Sequence, residues 1–249
     1  MIMVYNRVVT FYENGIVEVV DYSKYIEVGS VRQPKENIKT NSRVKLGRVK
    51  GKTKNFNEDN VYKNCCRAKK KIRQLCNNNA HLLTKFLTLT FADQSFTQDK
   101  IKLANSFYSK FIKRLEYYFN QKIEYLTVPE LTKQGVIHYH MLCNIPYIDI
   151  DILQDIWGFG KVYISRIENI NNVGAYVSSY VDKDFGKALS GVRHFFKSKG
   201  VIYPTVKKID SSKDCNLYNY DNLIYTSHNS NFYCGDVNTK IFDKNQKWS

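Results

Sequence analysis

Glu130 stands eight residues before the triplet His138-Tyr139-His140, and Tyr176 and Tyr180 follow at a spacing of four. Alternate residues of a strand point to one face, so His138 and His140 would project side by side with Tyr139 behind them. Two imidazoles and a carboxylate on one sheet face are donors for a divalent metal ion. Two tyrosines one helical turn apart, with Lys183 three residues further on, would share a helix face and offer hydroxyl nucleophiles beside a cation. A tyrosine of ordinary pKa, about 10, attacks poorly at neutral pH. A metal's field and the Lys183 ammonium both favour the phenolate. Together these parts point to metal-assisted cleavage of a DNA strand through a tyrosine ester.

Each part alone is weak. A chain with five histidines produces an occasional His-x-His by chance, and the plain alternative is a pair of strand histidines without chemistry. With 19 tyrosines in 249 residues, a pair four apart can equally be core packing. The pairing with Glu130 at the end of the preceding strand strengthens the metal reading, and Gly135 sits where the turn between the strands needs it. With the turn centred near Lys133 and Gln134, Glu130 and His138 face one another, although Pro129 limits hydrogen bonding there.

The elements that must position these residues follow from periodicity. Residues 85–91, Lys-Phe-Leu-Thr-Leu-Thr-Phe, alternate as a strand with Leu87, Leu89 and Phe91 on one face and Thr88 and Thr90 on the other. Thr97 is placed to cap a helix over about 98–119, whose Ala104, Phe107, Tyr108, Phe111, Leu115 and Tyr118 form an inward stripe. Strands at about 123–128 and 136–143 form a hairpin through Gly135. A short helix near 151–157, a strand at 161–167 and a helix over about 172–183 complete the set. The order strand, helix, strand, strand, helix, strand implies an α+β, ferredoxin-like (split β-α-β) antiparallel sheet. Helices would cover one face, leave the other open, and be followed by an extra tyrosine-bearing helix.

A basic helix near 61–77, with Arg67-Ala-Lys-Lys-Lys-Ile-Arg73, precedes this set. Before it, residues 8–20 read as a hairpin through Asn14-Gly15, a pair suited to a type I′ turn. Residues 33–60 are rich in Lys and Arg and read either as a solvated linker or as an arm tracking DNA. Gly47-Arg-Val-Lys-Gly-Lys-Thr53 is no phosphate-binding P-loop: three residues separate its glycines where four are needed, and no apolar strand leads into it. The tail after about Lys208, rich in Asn, Asp, Ser and Tyr, reads as a loosely packed extension. The division expected is 1–60, 61–206 and 207–249.

Taken together, Phe86-Leu-Thr-Leu-Thr-Phe91, Gly135-Val-Ile-His-Tyr-His-Met141 and Tyr176-Val-Ser-Ser-Tyr-Val-Asp-Lys183 resemble the three motifs of the HUH endonuclease superfamily. The likeness is closest to rolling-circle replication initiators of small plasmids and single-stranded DNA phages. Trp157-Gly-Phe-Gly-Lys-Val-Tyr163 and Phe196-Lys-Ser-Lys-Gly200 also resemble these initiators, and the likeness spans about Val61 to Val206. It implies His138, His140 and Glu130 as ligands of Mg²⁺ or Mn²⁺, and Tyr180 with Lys183 as the Tyr-x-x-Lys of one-tyrosine members. Tyr176 matches the additional tyrosine of two-tyrosine members. The implied reaction nicks single-stranded DNA or an origin hairpin, leaving a 5′-phosphotyrosine and a 3′-hydroxyl that primes a polymerase. It implies a host helicase and DNA polymerase as partners and needs no ATP.

Composition agrees with a nucleic-acid partner: 38 basic against 23 acidic side chains leave a net charge of +15. An apolar share of 43% supports a substantial core. No apolar run is long enough to span a bilayer and no signal-peptide pattern opens the chain, so a cytoplasmic protein without a membrane partner is expected. The six cysteines include no C-x-x-C pair, which favours free thiols. Two rivals share some of these features. An iron(II) oxygenase also uses two histidines and a carboxylate, but usually in a jelly roll and without such charge. A non-catalytic nucleic-acid-binding regulator on the same sheet would need neither metal nor tyrosine. A transposase or mobilisation relaxase would use the same parts for a different end.

Overall fold

The computed structural model describes residues 3–28, 58–167, 173–181, 193–212, 222–231 and 234–244. The basic stretch through Lys54, with its P-loop look-alike, lies outside them, as do Lys183 and Cys215. The chain divides into two compact units. One is drawn from Met1–Phe11, Gly15–Asn57 and Val206–Ser249, the other from Tyr12–Asn14 and Glu58–Thr205.

In the first unit, β1 (Met3–Phe11) and β2 (Ile16–Val28) pair antiparallel. Their loop takes four residues, Tyr12 to Gly15, and only Gly15 has positive φ (82°), whereas Asn14 does not. A type I′ turn needs positive φ at both central residues, so that expectation fails. The segment expected as a loose tail instead forms strands: β8 (Thr205–Ile209), β9 (Leu223–Asn231) and β10 (Gly235–Asp243). They complete a five-stranded sheet in the order β8-β1-β2-β10-β9, with Val9, Val17, Val19 and Phe242 as its small core.

The second unit holds the elements that carry the candidate site. Its sheet has the order β6-β3-β5-β4-β7, formed by β3 (Lys85–Thr90), β4 (Tyr125–Leu131), β5 (Ile137–Cys143), β6 (Val162–Arg166) and the two-residue β7 (Phe196–Lys197). Every pairing is antiparallel. With α2 (Ile101–Phe119) between β3 and β4 and α3 (Ile150–Trp157) between β5 and β6, this is the split β-α-β order expected. The fold is α+β.

One sheet face is sealed as periodicity dictates. Leu87, Leu89 and Phe91 meet Ala104, Tyr108, Phe111 and Leu115 of α2 and Leu153 and Trp157 of α3 in one buried cluster. Tyr118, expected in that stripe, is 49% exposed. Thr97 makes no side-chain cap; a 3-10 turn at Gln98–Lys100 leads into α2 instead. Asp149 does cap α3, accepting from the Asp151 amide at 2.8 Å. Gly160 lies against the end of β3, where a Cβ would stand 2.4 Å from the Thr90 carbonyl oxygen.

The opposite face is not left fully open. Cys65, Ala68, Ile72, Leu75 and Cys76 recur at three- and four-residue steps along α1 (Glu58–Asn78). They pack with Val177 and Val181 over Leu126, Val128 and Leu142 of the sheet. Arg67, Lys70, Lys71 and Arg73 occupy the exposed side of the same helix. The apolar stripe of α1 needs a surface to bury, and half of this sheet face supplies it. The tyrosine-bearing helix, α4 (Val173–Ser179), ends four residues before the expected Lys183, so Tyr180 lies in the turn just past it.

Candidate active site

The hairpin of β4 and β5 sets the register of the site. Gly135 has φ of 79°, its amide donates to the Thr132 carbonyl at 2.8 Å, and the Thr132 amide donates to the Val136 carbonyl at 2.9 Å. Closed this way, the turn places Glu130 opposite His138 and Val128 opposite His140. Pro129 is tolerated because β7 pairs β4 only at Leu126 and Thr127, so the proline sits beyond its reach. On the other side of β5, Thr88 of β3 stands opposite His140 and Thr90 opposite His138. Strand pairs face the same way, so Glu130, His138, His140, Thr88 and Thr90 share one face.

His140 is the centre of this group. Its Nε2 lies 2.6 Å from Oε2 of Glu130 and its Nδ1 3.3 Å from the Thr88 hydroxyl. The Phe86 ring lies nearly parallel to it, 5.8 Å away, and the Tyr180 ring stacks on it at 3.6 Å. Tyr176 meets both Tyr180 and Phe86 edge-on, at 5.2 and 5.5 Å. The two tyrosines differ in setting: Tyr176 is 55% exposed, whereas Tyr180 is half-buried against the imidazole.

Electrostatics follow from these contacts. Burial, the hydrogen bond with Tyr176 and the Glu130 carboxylate all raise the Tyr180 pKa well above that of an ordinary tyrosine. Burial lowers the His138 pKa, helped by His140 and opposed by Glu130. That favours neutral His138, the form with a lone pair to give a metal.

Five of the six expected site residues are thus brought to one place, and Lys183 lies outside the described residues. Among the described residues, however, no three His, Cys, Asp or Glu side chains form a metal-holding group. Glu130 instead spends an oxygen directly on His140. One carboxylate and two imidazoles on a shared face nevertheless fit a first-row dication by donor chemistry. Sequence reading overlooked Phe86, although its alternation with Thr88 and Thr90 signalled which face it takes. It also overlooked the tie from Arg73 Nε of α1 to the Ser178 hydroxyl of α4 at 3.1 Å, which no local pattern signals.

Residues 84–185 match the family model of the replication-associated protein ORF2. The matched segment contains every candidate site residue and runs from the start of β3 past α4. The match supports a replication-initiator role. No curated protein and no solved structure gives a match.

Proposed function

We propose that this chain is a replication initiator of the HUH endonuclease type, which nicks single-stranded DNA at an origin and holds the 5′ end on a tyrosine. The observation that carries the reading is the stacking of Tyr180 on His140, beside Glu130 and opposite the turn-set His138. A nucleophile and a metal-type donor set are packed together within the segment similar to replication-associated proteins.

The Tyr180 oxygen attacks the scissile phosphorus in line, a P–Oη bond forms, and the P–O3′ bond breaks. The 3′ oxygen takes a proton from water and leaves as a free hydroxyl. The Tyr180 proton leaves toward solvent by way of the Tyr176 hydroxyl, to which it is hydrogen-bonded. Tyr176 is exposed and forms no stack with His140; it assists and is not the first nucleophile. Stacking on the imidazole holds the Tyr180 ring against rotation, which reduces the entropy cost of attack. Glu130, His138 and His140 are the residues that would hold Mn²⁺ or Mg²⁺, whose charge polarises a non-bridging phosphate oxygen. Two nitrogen donors suit Mn²⁺ better than Mg²⁺, which prefers oxygen ligands. The 3′-hydroxyl serves a host polymerase, and a host helicase opens the duplex.

The test mixes purified protein with single-stranded DNA and Mn²⁺ or Mg²⁺ and measures a protein–DNA adduct that survives SDS. The adduct should form, more in Mn²⁺ than in Mg²⁺, and disappear with EDTA and in Tyr180→Phe. Tyr176→Phe should keep most of it. An adduct that persists in Tyr180→Phe and vanishes in Tyr176→Phe would reverse the assignment. Salt-sensitive DNA binding with no adduct under any condition would leave a non-catalytic DNA-binding regulator.

A further inference from the structure

We propose that Tyr163 and Lys161, at the outer edge of the site-bearing sheet, form a ledge that holds the unpaired strand beside the scissile phosphate. The inference rests on the nicking function proposed above and names where its single strand is gripped.

β6 is the edge strand and Tyr163 stands opposite Thr88, which itself stands opposite His140. Directly opposed residues of paired strands face the same way, so Tyr163, Thr88 and His140 form one row on the site face. Tyr163 is 60% exposed, and among the described residues its side chain has no ring or hydrogen-bond partner. The other aromatic rings on this face, Phe86 and Tyr180, are packed with His140. A large apolar ring left in water on a functional face, with no packing role, is suited to a planar partner.

Lys161 lies two residues earlier and is also exposed. Its carbonyl accepts from the Thr90 amide at 3.0 Å and its own amide donates to the Thr90 hydroxyl at 3.1 Å. Those bonds bring it beside the row that holds Thr90, His138 and Glu130. The ledge thus offers one π-face and one cation on consecutive rows. That is the pairing of stacking platform and phosphate contact by which proteins hold single strands.

Two strand spacings separate Tyr163 from His140, roughly 10 Å at 4.7–4.9 Å each. At 3.4 Å per stacked nucleotide, that distance spans about three nucleotides. Tyr163 would therefore stack a base within about three nucleotides of the cut. A base-paired duplex shields its faces within its own stack, so the ledge selects unpaired DNA. Tyr163 is a positioning residue: it acts on strand binding and not on the reacting atoms.

The experiment measures binding of a fluorescein-labelled, mixed-sequence single-stranded oligonucleotide by anisotropy in EDTA, where no adduct forms, and the same sequence as a duplex. Tyr163→Ala should weaken single-strand binding about tenfold. Tyr163→Trp should restore it, and duplex binding should stay unchanged. In the adduct assay with Mn²⁺, Tyr163→Ala should raise the DNA concentration for half-maximal rate and leave the rate at saturation intact. Single-strand binding within twofold of wild type in Tyr163→Ala, or an equal loss in Tyr163→Trp, would overturn the ledge. The two proposals fail separately. Tyr163-dependent binding without any adduct removes the nicking function and keeps the grip, and an adduct formed normally by Tyr163→Ala at low DNA concentration does the reverse.

Discussion

At the scale of single residues, burial decides which groups are available for chemistry. The thiols of Cys76 and Cys143 are buried in the two cores flanking the central sheet, and burial pushes each pKa up to about 12. For Cys143, a backbone hydrogen bond at Ile145 and the Lys85 charge offset this only in part. Cys66 is exposed. A raised folded-state pKa means that unfolded chains lose their thiol protons first as pH rises. The stability these groups confer is therefore intact below the unfolded thiol pKa, about 8.5, and lost above it. Each thiol should cost about 1.4 kcal/mol per pH unit between that value and about 12. Urea unfolding at pH 8, 9 and 10 should show midpoints falling with pH, less steeply in Cys76→Ala relative to that variant's own pH 8 value. A flat profile would remove the argument that these thiols stay protonated in the fold. Tyr180 has its pKa raised by some of the same physics, but its partners are Tyr176 and Glu130, which belong to the site.

At the scale of elements, the position of Tyr180 depends on how closely α4 approaches α1. Gly174 makes that approach possible: a Cβ there would lie 3.2 Å from the Arg73 Cα, the Asn77 Oδ1 and the Cys76 Cβ. Gly174→Ala needs only a small adjustment, whereas the branched side chain in Gly174→Val must push the helices apart. Overpacking of this kind costs roughly 1–3 kcal/mol. Gly174→Val should lose adduct formation at least tenfold while the protein remains folded by circular dichroism, with Gly174→Ala in between. Equal adduct yields in all three proteins would show that Tyr180 is positioned by something other than this helix contact. The β4–β5 hairpin is the contrasting element. Its turn is local, and the facing of Glu130 and His138 follows from it alone.

At the scale of the whole molecule, the charge of +15 has a physical consequence for any polyanion. Every phosphate neutralised by Lys or Arg releases counterions, so single-strand affinity should fall with salt by about 0.7 log units per contact for each tenfold rise. The exposed cations of α1 are candidates for such contacts. Lys70→Ala with Lys71→Ala should flatten that slope by about 1.4 if both reach phosphate. Titrations of single-stranded DNA at several salt concentrations would read it, and an unchanged slope would take α1 out of the DNA path. Among the described residues no helix is long and apolar enough to cross a membrane.

Periodicity alone determined most of the central sheet. Leu87, Leu89 and Phe91 alternate with threonines, His138 and His140 flank a buried Tyr139, and Gly135 closes the turn, all within a few residues of one another. Such patterns report which face a side chain takes, because backbone geometry is local. They do not report what covers that face. The packing of α1 and α4 on the second face, the stacking of Tyr180 on His140 and the row from Tyr163 to His140 join segments tens of residues apart. The tail strands were hidden for a related reason. Thr226, Ser227 and Tyr225 have no buried stripe to announce them, and they become a strand because β10 and β2 present an edge to pair with. Strand formation there depends on its neighbours more than on its own composition, and only the tertiary structure supplies neighbours.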